Sequence, residues 1–288
     1  MSQVLELVTG QSAFGWSKIG SFNRCPRMFA LSRDKKKKKP SKALIAGSLI
    51  HEAMALIMIK NSGYSEILER FKAYINEFHD SEDDSEIVQE ALKIAEETVQ
   101  KMLLENQHLW LFQKFHNFQI EWELSLHEIN NQVLEFPITS RIDAIVESRK
   151  TGGIWFIDHK TTSFRDETAT FANVLHGYMI DGQFKLQTLI GKENFGDKFQ
   201  GIILNFINKK GKENGRTYAY RLPPYSPEQL DDFSSMLLKT LRKIKLAQEN
   251  NNFPMVHNQM LCTHKFGTCE YFNTCHDKYD TTTLKINL

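Results

Sequence analysis

Along the first hundred or so positions apolar residues recur at three- and four-residue intervals, the spacing that lines one face of a helix. Ser17 stands where it can cap a helix running through Ile19 and Phe22 toward Met28 and Leu31, and a second helix is expected from about Ala43 to Lys60. Tyr64 to Phe78 and Glu86 to Asn106 predict two more. Ile87, Leu92, Ile94, Ala95, Val99 and Met102 to Leu104 mark the inward face of the last, with no Gly or Pro to break it. The period changes near Phe118. Phe118 to Leu126 alternates and is rich in aromatic and branched residues, Asn130-Asn131 marks a turn, and Val133 to Val146 returns as one or two strands. After the turn at Thr151-Gly152-Gly153, Ile154 to Lys160 predicts a third strand, Phe171 to Ile190 a helix, and Gln200 to Ile207 a fourth strand. A long helix from about Ser226 to Glu249 leads into a cysteine-rich end. This order predicts an α/β protein, a mixed sheet flanked by helices and preceded by a helical part. Three consecutive segments are expected: residues 1–115, helical; 116–250, the core; and 251–288, carrying clustered cysteines and packing against the first.

Size and charge narrow the class. With 288 residues and 41% hydrophobic content the chain can bury a substantial core. Its longest apolar stretch, Ala43 to Ile59, is interrupted by Gly47, Ser48, His51 and Glu52 and falls short of the ~20 residues that span a bilayer, so no membrane segment is expected. A net charge of +1 excludes a globally basic nucleic-acid binder but leaves room for a local positive channel. Lys35 to Lys39 is a run of five lysines, and Asp80 to Glu86 an acidic cluster. The first is either a solvated loop or an arm that touches phosphates; the second is expected only to separate two helices.

The four cysteines divide unequally: Cys25 lies near the start, beside Pro26, and Cys262, Cys269 and Cys275 near the end. The opening Met-Ser-Gln-Val-Leu-Glu lacks the charged start and apolar core of a signal peptide, which predicts a reducing, cytoplasmic setting and argues against disulfides. Three converging thiolates need a fourth ligand, and Cys25 is the thiol left to supply it. Without C-x-x-C pairs the set suits structural zinc poorly and an iron–sulfur cluster better. Spacing alone leaves cluster, zinc and free thiols all open.

Candidate chemistry concentrates on two strands. In Trp155-Phe156-Ile157-Asp158-His159-Lys160, Asp158 and Lys160 share a face with His159 opposite. The preceding strand sets Asp143 among apolar neighbours, and the Gly152-Gly153 turn folds it against Asp158. Two adjacent carboxylates repel unless a cation lies between them, and a hard divalent ion, Mg(II) or Mn(II), meets that need. Singly these features are weak: a D-x-K pair is more often a structural salt bridge, and His51 on an apolar helix more often a core histidine.

Their joint order resembles the PD-(D/E)XK nuclease superfamily, and specifically its RecB-like branch. Asp143 followed by Asp158-x-Lys160 resembles the core motif, Gly47-Ser48-Leu49-Ile50-His51 the G-x-x-x-H helix of that branch, and Gln183 the start of its Q-x-x-x-Y helix. Cys25 with Cys262, Cys269 and Cys275 resembles the iron–sulfur clasp of AddB-type nucleases and CRISPR-associated RecB-like exonucleases. Three positions depart from the pattern: Ile142 stands where the superfamily name has proline, Ser140 where a glycine is frequent, and Gln187 at the tyrosine of Q-x-x-x-Y.

The resemblance implies a restriction-endonuclease-like fold and a deoxyribonuclease. Asp143, Asp158 and His51, with the backbone carbonyl of His159, are expected to hold one or two Mg(II) or Mn(II) ions. Lys160 is expected to orient the attacking water and Gln183 to bond water or substrate, with Glu121 a weaker candidate ligand. A 4Fe-4S cluster on the cysteines is the second implied cofactor. An arch made by the helical part and the cysteine segment would favour free ends, so the expected activity is a single-strand DNA exonuclease of repair, recombination or phage DNA metabolism. Arg24, Arg27, Arg141, Thr161, Gln187, Lys209 and Lys210 are candidate DNA contacts. An endonuclease that trims DNA for integration and a non-catalytic DNA-binding subunit are the alternatives.

Overall fold

The structure is a computed structural model that describes residues 14–34, 41–78, 85–163, 169–256, 258–264 and 267–276. Lys35 to Lys39 and the acidic residues Asp80 to Asp84 lie outside the described residues. The chain divides into two compact units, Met1–Gly15 with Lys39–Asp231, and Trp16–Lys38 with Asp232–Leu288.

The larger unit is built on a five-stranded mixed sheet. Its strands β1 (Phe115–Ile129), β2 (Gln132–Ser148), β3 (Ile154–Thr162), β4 (Phe199–Asn208) and β5 (Thr217–Arg221) lie side by side in chain order. The β3–β4 pair is parallel and the others antiparallel. A two-residue turn joins β1 to β2: Asn130 and Asn131 both take left-handed backbone, φ 49° and 58°, which asparagine tolerates and which matches the twist of a hairpin. The ladder between β2 and β3 stops early. It runs from Glu147↔Ile154 to Ala144↔Ile157, after which β3 pairs only with β4.

Helices cover both faces of this sheet. Before it come α3 (Lys42–Lys60), α4 (Tyr64–Phe78), α5 (Ser85–Leu104) and the short α6 (Leu109–Lys114). On one face Ala144, Val146, Ile157, Ile203 and Ile207 form a continuous core with α3, α4 and α5. Helix α3 is long and apolar enough to cross a membrane by length and composition alone, yet Leu49, Ile50, Ala53, Met54 and Ile57 are buried in that core. Each buried Leu, Ile or Met contributes about 1.5–3 kcal/mol, so packing holds α3 in place. Ser41 caps its start by accepting from the Leu44 N–H, and Asn61, at φ 53°, ends it. On the other face, α7 (Ala169–Ile180) and α8 (Gly182–Phe195) lie over a ladder of rings in which Phe156 meets Phe195 and Phe199, and Phe206 meets Tyr178 and Tyr220.

The smaller unit joins α1 (Trp16–Arg24) and α2 (Pro26–Asp34) to most of α9 (Pro227–Glu249) and to the cysteine segment. Trp16 packs on Phe233, and Phe29 on Phe22 and Phe253. Asn23 accepts a hydrogen bond from the Thr240 hydroxyl at 2.9 Å. The segment itself contains α10 (Gln259–Cys262), the strand pair β6 (Thr263–His264) and β7 (Gly267–Thr268), and α11 (Phe272–His276).

Several elements differ from the sequence expectation for identifiable reasons. The expected first helix is two, because Pro26 starts α2 with no N–H to give and disfavours helical backbone at Cys25. The helix expected over Phe171 to Ile190 is also two, broken at Asp181, whose carboxylate accepts from the Gln183 N–H and caps α8. Strands β1 and β2 run past their expected ends. The compact units also cut across the expected divisions at residues 115 and 250, because the apolar faces of α1 and α2 are satisfied by Phe233 and Phe253 of the same unit.

Candidate active site

The site forms where the β2–β3 ladder ends. Extended by one pair, the register sets Asp143 across from Asp158, and there the strands diverge. The His159 N–H, left without a ladder partner on β2, donates to Asp143 Oδ2 at 2.7 Å. A strand residue points its N–H and C=O to the same side, so the His159 carbonyl also faces the gap. Helix α3 crosses β3 closely at this level, because Gly47 has no side chain: a Cβ there would lie 3.1 Å from Thr161 Oγ1. One turn further on, His51 Nδ1 approaches Asp143 Oδ2 to 3.5 Å.

Glu121 completes this group. It lies on β1 between the ladder pairs Ile120↔Ala144 and Trp122↔Ile142, across from Asp143, and takes left-handed backbone at φ 51°. For a glutamate inside a strand that conformation costs about 1–3 kcal/mol and marks a position held by its surroundings. One ligand atom each from His51, Glu121 and Asp143 lies within 4.8 Å of the other two. Burial first, then the charge of Asp143, raises the Glu121 carboxyl to about 8, against the opposing charge of Arg141. A divalent ion with ligands at about 2.1 Å holds them about 3 to 4 Å apart. Two hard oxygens and an imidazole nitrogen within 4.8 Å of one another need only a small closure to fit Mg(II) or Mn(II), with the His159 carbonyl as a further oxygen on the same side.

Asp158 stands beside the trio with both oxygens engaged. Lys160 Nζ lies 2.7 Å from Oδ2, and Gln183 Nε2 donates to Oδ1 at 3.1 Å. Burial raises the Asp158 carboxyl, with Lys160 pulling it down and Asp143 pushing it up. For Lys160, burial favours the neutral amine but Asp158 outweighs it, so its pKa is raised and it is an ammonium here. The Lys160 ammonium also sits 5.5 Å from the Tyr178 ring centroid and 5.4 Å from that of Phe184. Tyr178, on the helix before Gln183, thus faces the lysine although Gln187 occupies the expected tyrosine position.

The His159 ring is buried on the opposite face, edge-on to His51 with centroids 5.9 Å apart. Burial lowers its pKa to about 4. Asn205 Nδ2 lies 2.9 Å from Nδ1, and the two buried side chains share a hydrogen bond. Asn205→Ala is expected to leave that nitrogen buried and unpaired, lowering stability by about 1–3 kcal/mol in urea unfolding.

The other residues singled out from sequence are dispersed. Gln187, expected to contact DNA, is buried under α8 at 1% exposure and offers no surface to a ligand, because it continues the sheet-facing side of that helix. Thr161 Oγ1 accepts from Lys209 Nζ at 3.3 Å, and the same ammonium donates to the Ala43 carbonyl, tying β4 and β3 to the start of α3. Arg141 is half-buried on β2, where its charge acts on Glu121.

In the smaller unit the four thiols meet. Cys25, Cys262, Cys269 and Cys275 line one cavity with Arg24, Met28 and Tyr271. Burial pushes the Cys275 thiol up, and Cys25, Cys269 and Cys262 act in the same direction, opposed by Arg27. Arg24 and Arg27 therefore belong to the surroundings of the cysteines.

The model of the PD-(D/E)XK nuclease superfamily matches residues 13–276. The chain belongs to this superfamily. Membership makes it a nuclease with a nucleic-acid substrate, and nucleases of this superfamily typically use divalent metal ions. A crystal structure of a candidate exonuclease from Eubacterium rectale has the same fold, with a TM-score of 0.53 at 15% identity over 90% of this chain and 86% of that one. A second solved structure, SSO0001, overlaps 78% of this chain and 86% of its own at 15% identity, but its TM-score of 0.30 carries no weight. No curated protein matches the sequence.

Glu121, only a weaker candidate ligand from the sequence, is brought by the structure into the group that could hold a metal ion. The left-handed turn that holds it opposite Asp143 has no signature in the residue types around it.

Proposed function

We propose that this nuclease hydrolyses DNA in a metal-dependent reaction and works from the free ends of single strands. The observation that carries the hydrolytic reading is the convergence of His51, Glu121 and Asp143 beside the Asp158–Lys160 pair at the end of the β2–β3 ladder. A divalent ion held by His51, Glu121, Asp143 and the His159 carbonyl would supply Lewis acidity at the scissile phosphate and activate water for attack. Water oxygen joins phosphorus, the bond to the leaving oxygen breaks, and the water proton leaves to solvent or to the leaving oxygen. The Lys160 ammonium is oriented by Asp158 to neutralise charge on the phosphate oxygens, and Gln183 fixes Asp158 from the other side. Exonuclease action is favoured by the name of the Eubacterium rectale protein that shares the fold.

DNA carrying a label at either end, offered as linear and as circular single strands, tests the preference for ends. Linear strands should lose the terminal label progressively while circles persist. Equal cutting of circles would make this an endonuclease.

For the smaller unit we propose a 4Fe-4S cluster on Cys25, Cys262, Cys269 and Cys275. The convergence of four thiols from both ends of the chain on one cavity supports it. Anaerobically purified protein should be brown and absorb near ~400 nm. Cys25→Ala should lose iron and unfold at lower temperature. Colourless wild-type protein containing zinc would refute the cluster.

A further inference from the structure

We propose that the Tyr178 hydroxyl donates a hydrogen bond to a non-bridging oxygen of the phosphate being cut, a proposal that rests on the metal-dependent DNA hydrolysis argued above. Contacts from the sheet and from the next helix place this side chain. Lys160 lies opposite Phe206 in the β3–β4 ladder, and paired residues share a face of the sheet, so both project toward α7 and α8. The Tyr178 ring packs tilted on Phe206 and edge-on against Phe184, with centroids 5.8 Å apart in each pair. Both phenylalanines are fully buried, which gives the tyrosine a rigid support. The Lys160 ammonium lies 5.5 Å from the Tyr178 centroid, so Tyr178 stands on the face that carries Asp158 and Lys160.

The ring contacts leave the hydroxyl over. Tyr178 is half-buried, and its hydroxyl reaches solvent and has no hydrogen-bond partner among the described residues. Neighbouring polar groups are already committed. The Lys160 ammonium can only donate, the two Asp158 oxygens face Lys160 and Gln183, and Asp181 accepts from the Gln183 N–H. Burial raises the phenol above its ordinary range, with Lys160 opposing and Asp158 and Asp181 reinforcing, so at neutral pH it keeps its proton.

A neutral donor beside a cation selects its acceptor. Any oxygen that reaches this hydroxyl from solvent also comes under the charge of Lys160, which favours an anionic oxygen over water. A phosphate already drawn to the metal-binding group and to Lys160 supplies one. The phenol transfers no proton; it holds an oxygen on which charge develops as the bond to the leaving oxygen breaks.

The test measures steady-state cleavage by the full chain, as wild type and Y178F, in Mn(II) on end-labelled single strands. Each strand carries at its terminal linkages either ordinary phosphate or a phosphorothioate of one configuration, in which sulfur, a weaker acceptor, replaces one non-bridging oxygen. On ordinary phosphate Y178F should show a kcat about 10- to 100-fold lower with KM within about twofold, the loss of a hydrogen bond made to charge in the transition state. For one configuration the wild type should be slowed by a similar factor and the Y178F deficit should shrink to within about threefold. For the other configuration the deficit should persist. Phenylalanine keeps the ring contacts with Phe184 and Phe206, and comparing substrates within one protein cancels any difference in folded fraction. A wild-type rate in Y178F, or a deficit of equal size on all three substrates, would overturn the contact; the second result would make Tyr178 a residue that positions Lys160. Wild-type protein that leaves ordinary DNA intact would instead overturn the nuclease reading, a failure told apart by the wild type alone.

Discussion

Lys160→Met is expected to lower the cleavage rate by about 10²–10⁴-fold and, independently, to destabilise the protein. The two effects share one cause. Asp158 is 4% exposed, and the ammonium 2.7 Å away is the positive charge that balances its own. Without it a buried carboxylate keeps one hydrogen bond, from Gln183. Removing one partner of a buried ion pair costs about 3–5 kcal/mol. The penalty should depend on pH. Burial already raises the Asp158 carboxyl, and loss of Lys160 raises it further. A group whose folded pKa is raised contributes stability at low pH and loses it as pH rises through that value. Urea unfolding of Lys160→Met should therefore show a small deficit near pH 5 and a large one near pH 8. The double variant Asp158→Asn with Lys160→Met should regain most of the stability and none of the activity. Recovery of activity by the double variant would show that the pair is structural.

The apparent affinity for Mn(II) is expected to rise with pH between about 6 and 8 by up to tenfold per unit, then level off. Glu121 explains the direction. Without an ion its carboxyl titrates at about 8, raised by burial and by Asp143, so near neutral pH it binds metal only by releasing a proton. By the same sign rule, the protein without metal should lose stability as pH climbs from the ordinary glutamate range to about 8, and added Mn(II) should restore more at pH 8 than at pH 6. Glu121→Gln should bind Mn(II) more weakly and with little dependence on pH in this range. Calorimetric titration at several pH values measures both. A pH-independent affinity in the wild type would remove Glu121 from the ligand set.

Much of this arrangement was legible in the residues because it depends on short-range rules. The period change near Phe118 located the start of the sheet to within a few positions, and Asn130-Asn131 fixed a hairpin turn. Alternation placed Asp158 and Lys160 together, where the structure has them in contact. What escaped were effects of chain pairing. Strand β5 is five residues long and exists because it pairs with β4 and lays Tyr220 against Phe206. The early end of the β2–β3 ladder, which opens the gap for Asp143 and the His159 N–H, depends on how the strands diverge and is invisible in either strand alone. Glu121 enters the site through the same pairing, and Gln183, which donates to Asp158, stands at the start of α8 because Asp181 caps that helix at a place that reads as uninterrupted helix.

The carboxylates at the end of this ladder are proposed to support metal-dependent phosphodiester hydrolysis. End-labelled single-stranded DNA incubated with purified protein and Mn(II), beside chelator and beside Asp143→Asn, tests it most directly. Hydrolysis by the wild type that stops in chelator and falls at least about 10³-fold in Asp143→Asn, with the variant still folded by circular dichroism, is the predicted result. Hydrolysis that persists in chelator, or an Asp143→Asn variant as active as the wild type, would contradict it.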